Sequence, residues 1–326
     1  MSSIPVIDLG ADDVAAEFGR AYGEVGFAYL EGHGVELALV DAAFAQSQRF
    51  HALPLEEKLR LKVNDQHRGY MPFAESKIVS SSIQKATKPN LSESLMVMHE
   101  VDATPEAREE DPLAGPNQWP ELPGFREVIS AYEEALRALA RRLVPVFEEA
   151  LGAEPGALSP AFERPTTFLR LLHYPPQDPT GPDDEFGSNP HTDYGFVTIL
   201  AQDTSGGLQV RGPDGETWLD APPRPGAFVL NVGDIGERWS NGRLRSTPHR
   251  VVNRGGRDRY SIPYFFDPCA AAVVRPLACC VPAGERPRYD PVTYGGYLLA
   301  KLDANHSYRQ PTSSYVPVSA SSRASA

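Results

Sequence analysis

The sequence has few cysteines and no long hydrophobic run, and both deficits exclude whole classes of protein. The three cysteines, Cys269, Cys279 and Cys280, show neither the paired spacing of a zinc site nor an even disulfide framework. No apolar stretch approaches the roughly 18 residues that a transmembrane helix needs. The segment after Met1 lacks the basic and apolar regions of a secretory signal. These absences predict a cytoplasmic protein with reduced thiols and no membrane partner.

Basic residues are also scarce. The chain holds 31 Lys and Arg against 43 Asp and Glu, which gives a formal net charge of −12. A protein that binds nucleic acid through its phosphates needs a basic surface, so no nucleic-acid partner is expected. A small acidic ligand is still compatible with this charge, because one buried Arg can hold it. We therefore expect a small-molecule substrate and a monomer or small homo-oligomer.

Turn-forming residues, in contrast, are abundant: 27 Gly and 31 Pro among 326 residues exceed the roughly 12% of average usage. After Pro165, short apolar runs are separated by Gly, Pro, Asn and Asp, a spacing that favours a β-sandwich or barrel. Before Pro165, strands alternate with helices, and apolar residues at helical spacing predict a long helix over Gly124–Leu151. The other predicted strands are Ile4–Leu9, Gly26–Leu30, Thr167–Tyr174, Gly195–Ala201, Gly207–Arg211, Ala227–Val232, His249–Asn253 and Tyr260–Phe266, and the other helices are Ala11–Glu24, Leu37–His51 and Pro291–Leu302.

A first pair of candidate metal ligands is the His-x-Asp of His191 and Asp193. On an extended strand, positions i and i+2 project to the same face, so both side chains could bind one ion. The motif alone is weak, because roughly one such pair is expected by chance in a chain with this many histidines and acids.

A third candidate ligand is His249, 56 residues after Asp193. Pro248 favours an extended conformation at Thr247, so His249 is expected at the beginning of a strand. Two histidines and one carboxylate on neighbouring strands form the facial triad of non-haem Fe(II) oxygenases, which leaves coordination positions open. A structural zinc ion would need a fourth protein ligand, and the sequence offers no suitable one nearby.

A candidate anion site follows His249 at Arg259 and Ser261, which share one face of an apolar strand. A guanidinium among apolar residues is costly unless an anion pairs with it, and a carboxylate matches its planar fork. Tyr174 is a further candidate contact, and Arg170 shares its strand face.

This combination resembles the isopenicillin N synthase-like family of Fe(II)- and 2-oxoglutarate-dependent dioxygenases, in the bacterial branch near ethylene-forming enzyme. The resemblance covers about residues 4 to 303. Further segments match the family in order: Ile4–Leu9, Gly26–Val35, Phe50–Lys58, Arg68–Tyr70, Leu91–Ser94 and Pro291–Leu298.

The resemblance implies a mainly β fold with flanking helices: a double-stranded β-helix, or jelly roll, with a helical N-terminal region. It implies an N-terminal α/β region over residues 1–120 and a jelly-roll core over 121–310 with the long support helix 124–151. Residues 311–326, rich in Ser and Ala, are expected to form a mobile tail.

The resemblance also implies the roles of the candidate residues. His191, Asp193 and His249 would bind Fe(II), while Arg259, Ser261 and Tyr174 would hold 2-oxoglutarate, the co-substrate used with O2. Phe265 matches a position that packs against the organic substrate, and Arg170 is a second candidate there. The chain departs from the family at Leu172, where an Asn is usual, which puts that side of the co-substrate pocket in doubt.

The implied activity is oxidation of a small organic molecule, by hydroxylation, with release of succinate and CO2. The oxidant is bound to iron, so no separate catalytic acid or base is assigned. Two alternatives stay open. One is a non-haem iron oxidase of the same family that does not use 2-oxoglutarate, of the cyclase or ethylene-forming type. The other is a jelly-roll protein that binds a carboxylate without catalysis, although the complete triad argues against it.

Overall fold

The computed structural model describes residues 3–77, 88–102 and 104–305. Within these ranges the α-helices are α1 Val14–Glu24, α2 Leu37–His51, α3 Leu55–Leu59, α4 Pro105–Glu110, α5 Phe125–Leu151, α6 Asp234–Trp239 and α7 Tyr294–Asn305. The strands are β1 Val6–Asp8, β2 Phe27–Glu31, β3 Gly69–Met71, β4 Glu93–Met98, β5 Thr166–Tyr174, β6 Ser188–His191, β7 Val197–Gln202, β8 Leu208–Arg211, β9 Trp218–Asp220, β10 Phe228–Val232, β11 His249–Val251, β12 Arg259–Asp267, β13 Val273–Val274 and β14 Val292–Thr293. None of the helices described is long and apolar enough to cross a membrane.

Two sheets form the jelly-roll core. The larger has eight strands in the order β1-β2-β10-β7-β12-β5-β4-β3, and the smaller has four in the order β6-β11-β8-β9. The N-terminal region contributes strands to both edges of the larger sheet: β1 and β2 at one, β3 and β4 at the other. The predicted mainly β fold with flanking helices is confirmed.

The long helix α5 forms because its apolar residues recur on one stripe, which is buried along its length from Phe125 to Leu151. Glycines with positive φ bound it, Gly124 at 76° and Gly152 at 66°, which places its beginning and end where the sequence predicts them. α5 packs against α1 and α2 on one face of the large sheet.

The large sheet separates two apolar cores. Residues on its helix-covered face, such as Leu169 and Leu171, join the cluster that includes the α5 stripe. Residues on its other face, such as Leu172 and Tyr174, pack with Leu208 of the small sheet. Because side chains alternate along a strand, β5 supplies both cores at once.

The remaining predicted elements agree with the structure to within a few residues, with one correction. The last helix begins at Tyr294 rather than Pro291, because Val292 and Thr293 pair as a strand with Val274 and Val273. The predicted tail over 311–326 lies outside the described residues.

Candidate functional site

The three predicted ligands lie close together. Two are on strands β6 and β11 of the small sheet, and the third is on the loop that follows β6. β6 and β11 pair antiparallel with His249 opposite His191, so their rings lie 4.2 Å apart between centroids. Asp193 Oδ1 lies 3.8 Å from His191 Nε2 and 3.7 Å from His249 Nε2. The expectation that His191 and Asp193 share a strand is wrong. β6 ends at His191, so Asp193 reaches the site from the loop beyond it.

The loop that carries Asp193 is fixed by backbone contacts with the beginning of α6. The Asp234 N–H donates to the Asp193 carbonyl at 2.8 Å, and the Ile235 N–H donates to the Gly195 carbonyl at 3.0 Å. Gly195 has no room for a side chain, since a Cβ there would lie 1.7 Å from Asp267 Oδ1. The glycine therefore lets the loop approach β12 closely enough to hold Asp193 in place.

The two oxygens of the Asp193 carboxylate have different partners. Oδ2 accepts from the Thr198 hydroxyl at 2.6 Å and from the Asn231 side-chain amide at 2.7 Å. Oδ1 faces the two imidazoles. Burial raises the pKa of Asp193, but His249, His191 and these two hydrogen bonds outweigh burial and lower it overall. Asp193 is therefore ionised, with one oxygen oriented toward the histidines.

The His191 imidazole is held in the neutral form that binds metals. Its Nδ1 lies 2.7 Å from the Asn189 carbonyl. Because a carbonyl oxygen only accepts, Nδ1 carries the hydrogen, which leaves the lone pair on Nε2 toward Asp193. Burial, and then the nearby His249, lower the pKa of His191 to about 4, with a smaller effect from Arg170.

This donor set fits Fe(II). One ligand atom from each of His191, Asp193 and His249 lies within 4.8 Å of the other two, and no other group of three or more such side chains occurs among the described residues. Two imidazoles and one carboxylate are the protein ligands of the facial triad, which leaves positions free for a bidentate co-substrate and O2. The Phe27 ring packs edge-on against His249, with 5.3 Å between centroids, and supports that ligand.

The predicted anion site is a buried guanidinium with neutral partners. Arg259 is 1% exposed. Its Nε donates to the Gly206 carbonyl at 2.6 Å, Nη1 to Ser261 Oγ at 3.1 Å and Nη2 to Gln202 Oε1 at 3.2 Å. It forms no salt bridge with a carboxylate in the described part of the chain. A buried charge without a counter-ion is costly, so this arrangement is suited to an incoming anion.

Tyr174 completes the anion site because it lies directly opposite Arg259 in the β5–β12 register. The guanidinium stacks over its ring, 4.7 Å from the centroid. Leu172, opposite Ser261 in the same register, contributes apolar surface where the family usually has Asn. The departure at this position therefore makes the pocket wall less polar.

Two cavities meet at the triad. All eight predicted site residues line the cavity of about 70 Å³ that contains Arg259 and the triad. Four of them, Arg170, His191, Asp193 and Phe265, also line a second cavity of about 110 Å³. His191 and Asp193 thus lie between a cavity with the predicted anion site and a second cavity, and Arg170 and Phe265 border both.

Sequence reasoning missed the residues that support the ligands: Thr198 and Asn231 on Asp193, Asn189 on His191 and Gln202 on Arg259. A signal was present for Asn231, the one polar residue in the buried strand Phe228–Val232. A polar residue inside an apolar strand needs a buried partner. The partner itself depends on strand register, which the sequence pattern did not provide.

Comparisons with known proteins identify the family to which the chain is similar. A family model described as "2OG-Fe(II) oxygenase superfamily" matches residues 165–268, and one described as "non-haem dioxygenase in morphine synthesis N-terminal" matches residues 4–122. The 2-oxoglutarate-Fe(II) type oxidoreductase hxnY of Emericella nidulans is 37% identical, over 82% of this chain and 78% of that protein.

Two further relatives extend the comparison. A homoarginine-6-hydroxylase of Arabidopsis thaliana is 32% identical over 91% of both chains. Among solved structures, a full-length Neurospora crassa protein in complex with alpha-KG superposes with a TM-score of 0.81 at 28% identity, over 92% of this chain and 96% of that one.

Proposed function

The chain belongs to the 2OG-Fe(II) oxygenase superfamily, and from that premise we propose which of its residues perform the chemistry. It is a non-haem Fe(II)- and 2-oxoglutarate-dependent dioxygenase that oxidises a small organic molecule, with release of succinate and CO2. The observation that carries the residue assignment is the position of the triad between two adjoining cavities, one of which contains the uncompensated Arg259. That the chain belongs to the bacterial branch of the family near ethylene-forming enzyme stays a prediction.

His191 Nε2, Asp193 Oδ1 and His249 Nε2 hold the iron in this proposal. Bound Fe(II) would supply the O2 chemistry that couples oxidative decarboxylation of 2-oxoglutarate to oxidation of a substrate C–H bond. The protein contributes position and charge. Asn189 fixes the His191 tautomer, while Thr198 and Asn231 orient Asp193.

Arg259 and Ser261 bind the distal carboxylate of 2-oxoglutarate. The guanidinium supplies the charge, the Ser261 hydroxyl supplies a hydrogen bond, and the Tyr174 ring holds the guanidinium in place. Binding of the co-substrate provides the counter-ion that the buried Arg259 lacks.

Phe265 and Arg170 form the substrate side, because they also line the second cavity beside the ligands, which Arg259, Ser261 and Tyr174 do not. The Ser94 hydroxyl accepts from Arg170 Nε at 2.9 Å and orients its guanidinium. The Phe265 ring meets Phe168 edge-on, with centroids 6.2 Å apart. No side chain is assigned as a separate acid or base, because bound Fe(II) would supply the oxidising chemistry.

The proposal includes the setting of the enzyme. The three cysteines are free, as expected in the reducing cytoplasm. The net charge of −12 supports a free small molecule as substrate, without nucleic-acid or membrane partners. A monomer or small homo-oligomer is proposed, and light scattering of the purified protein tests it.

The assignment is tested by titrating the anaerobic protein with Fe(II) and then 2-oxoglutarate while recording the visible spectrum. We expect a weak charge-transfer band in the wild type and its loss in Asp193→Ala, because the carboxylate ligand is gone. Glu127→Ala, which removes an exposed carboxylate on α5, is the control and should keep the band. A band that survives in Asp193→Ala would refute the ligand assignment.

Admission of O2 then distinguishes the alternatives. A 2-oxoglutarate-dependent enzyme forms succinate as O2 is consumed. O2 consumption with a substrate but without 2-oxoglutarate would instead identify an oxidase of the same family. A band without turnover across a metabolite library would favour the carboxylate-binding protein.

A further inference from the structure

Asp267 is a buried carboxylate at the end of β12, beside the loop that carries the proposed iron ligand Asp193. Its side chain is almost fully enclosed, and it lies opposite Thr166 in the β5–β12 register. A carboxylate buried in this way is costly unless hydrogen-bond donors surround it. The function proposed above uses Asp267 neither for the iron nor for the co-substrate, so its burial needs another explanation.

Two donors from different parts of the chain meet at this carboxylate. Oδ1 accepts from the Phe196 N–H at 2.6 Å, and Oδ2 accepts from the Tyr294 hydroxyl at 2.5 Å. Phe196 belongs to residues 192–196 between β6 and β7, which we call the ligand loop, whereas Tyr294 is the first residue of α7. Asp267 therefore connects the ligand loop to α7.

The hydrogen bond from Phe196 fixes the backbone of the ligand loop close to Asp193. The Phe196 carbonyl also accepts from the Gly233 N–H at 2.9 Å, so both backbone groups of Phe196 have partners. At the preceding residue, a Cβ on Gly195 would overlap the Asp267 carboxylate. Asp267 thus lies against the main chain of the loop, and a change in its side chain should shift the position of Asp193.

The Tyr294 hydroxyl is itself held in a fixed position. Tyr294 is fully buried, and its N–H donates to the Ala272 carbonyl at 2.9 Å. The adjacent Gly295 N–H donates to the Ala270 carbonyl at 2.8 Å, so the beginning of α7 is tied to the turn that follows β12. A hydroxyl held in this way can orient the Asp267 carboxylate, because a hydrogen bond to a charged acceptor is strong and directional.

We propose that Asp267, oriented by Tyr294, is a positioning residue for iron binding. It fixes the main chain of the ligand loop and so keeps Asp193 Oδ1 facing the two histidines. Its role differs from that of Thr198 and Asn231, which bind the Asp193 side chain directly. This inference rests on the function proposed above, because it requires Asp193 to be an iron ligand.

The first test compares two substitutions of Asp267 by anaerobic calorimetric titration of the iron-free protein with Fe(II). Groups that hold metal ligands in place typically contribute roughly 10- to 100-fold in affinity. Asp267→Ala removes both hydrogen bonds and should raise the Kd for Fe(II) about 30-fold. Asp267→Asn keeps the shape and an oxygen that accepts from Phe196, so its Kd should return to within about threefold of the wild type.

The second test compares two tyrosine hydroxyls, because loss of a buried hydrogen bond can lower stability without affecting iron. Tyr294→Phe removes the hydroxyl that orients Asp267 and should raise the Kd for Fe(II) about fivefold. Tyr264→Phe is the matched control. Tyr264 is fully buried on β12, and its hydroxyl donates to Glu133 on α5 at 3.0 Å. Both variants should unfold at lower urea concentration than the wild type, but Tyr264→Phe should keep the wild-type Kd for Fe(II).

Two results would overturn this inference while the proposed function stands. One is equal Fe(II) affinity in Tyr294→Phe and Tyr264→Phe, and the other is an equal loss of affinity in Asp267→Ala and Asp267→Asn. If Asp267→Ala does not fold, the comparison of the two tyrosine variants decides. Wild-type Fe(II) affinity in Asp193→Ala would instead contradict the ligand assignment on which the inference rests.

Discussion

The two faces of strands β5 and β12 differ in whether their buried charged groups have partners of opposite charge within the protein. Tyr174 and Arg259 face the jelly-roll interior, where they form the proposed anion site. Their sequence neighbours His173 and Tyr260 stack on the other face, with rings 4.8 Å apart and 14° between planes. Strand alternation thus places two polar environments one residue apart.

On the helix-covered face, the charges around His173 have partners within the protein. Glu93 accepts from Lys58 Nζ at 2.8 Å, from His173 Nδ1 at 2.8 Å and from the Tyr70 hydroxyl. His173 Nε2 lies 2.8 Å from Asp258 Oδ1. We call Lys58, Tyr70, Glu93, His173 and Asp258 the Glu93 cluster.

On the interior face, the described residues supply a cation without a counter-ion and a set of metal ligands without a metal. Arg259 is buried with neutral partners, and Asp193 is buried against two imidazoles that suit a metal ion. The comparison indicates that compensated charges stabilise the fold, whereas incomplete sets of charges and ligands mark the site where ligands bind.

The largest effect is expected from Arg259→Ala, which tests the interior face. Loss of a buried charge pair with 2-oxoglutarate should raise its Kd roughly 1,000-fold, about 4 kcal/mol. The free energy of unfolding of the ligand-free chain should not fall comparably, because the removed charge lacked a counter-ion. Titration of the visible band and urea unfolding measure the two quantities.

The control for Arg259→Ala is Arg60→Ala, which removes an exposed guanidinium paired with Glu56 and should change neither quantity. Equal losses of 2-oxoglutarate affinity in both variants would break the distinction between the two faces.

The second effect concerns the Glu93 cluster. Glu93→Gln leaves Lys58 buried, at 8% side-chain exposure, without its counter-charge, and should lower the free energy of unfolding by about 3 kcal/mol. The Kd for 2-oxoglutarate should stay unchanged, since Glu93 lies on the other face. Urea unfolding of the iron-free chain measures the loss.

Glu56→Gln breaks an exposed pair with Arg60 and is the matched control, with an expected loss of less than about 0.5 kcal/mol. A loss that small in Glu93→Gln would show that the cluster does not stabilise the fold.

The sequence predicted the polar and charged groups on the interior face better than those on the helix-covered face. Strand parity alone placed Arg259 and Ser261 on one face of β12, and Arg170 and Tyr174 on one face of β5. The Glu93 cluster was not predicted, because it joins β4 and β5 to Lys58 on α3, and contacts between elements far apart in the chain depend on packing. Thr198 and Asn231 were missed for the same reason, since their bonds to Asp193 depend on the path of the loop after β6.

A smaller effect is expected from Thr198→Val, which removes the hydrogen bond to Asp193 Oδ2 and nearly keeps the side-chain shape. Outer-sphere partners of metal ligands typically contribute 10- to 100-fold in affinity, and Asn231 retains its bond here, so Fe(II) affinity should fall about tenfold. Thr217→Val, in an exposed turn with Asp214, is the control. Equal Fe(II) affinity in the two variants would contradict the orienting role of Thr198.

The smallest effect is a change in the pH dependence of stability. Burial opposes both charged forms in the Glu93 cluster, but its hydrogen bonds outweigh burial. They lower the pKa of Glu93 from 4.5 to about 2 and raise that of His173 above 6.5. The Glu93 contribution is therefore present above pH 4.5 and lost as pH falls through about 2. The His173 contribution is complete below pH 6.5 and lost as pH rises through its raised pKa.

Stabilisation by the cluster should consequently be greatest between about pH 4.5 and 6.5. Urea unfolding of iron-free wild type and His173→Gln, from this range up to alkaline pH, measures it. The difference in free energy of unfolding should shrink at alkaline pH, where His173 is neutral in the wild type. Glu56→Gln should keep the wild-type pH profile. A difference that grows toward alkaline pH would reverse the assigned sign, and would mean that His173 stabilises the cluster as a neutral hydrogen-bonding group rather than as a charge.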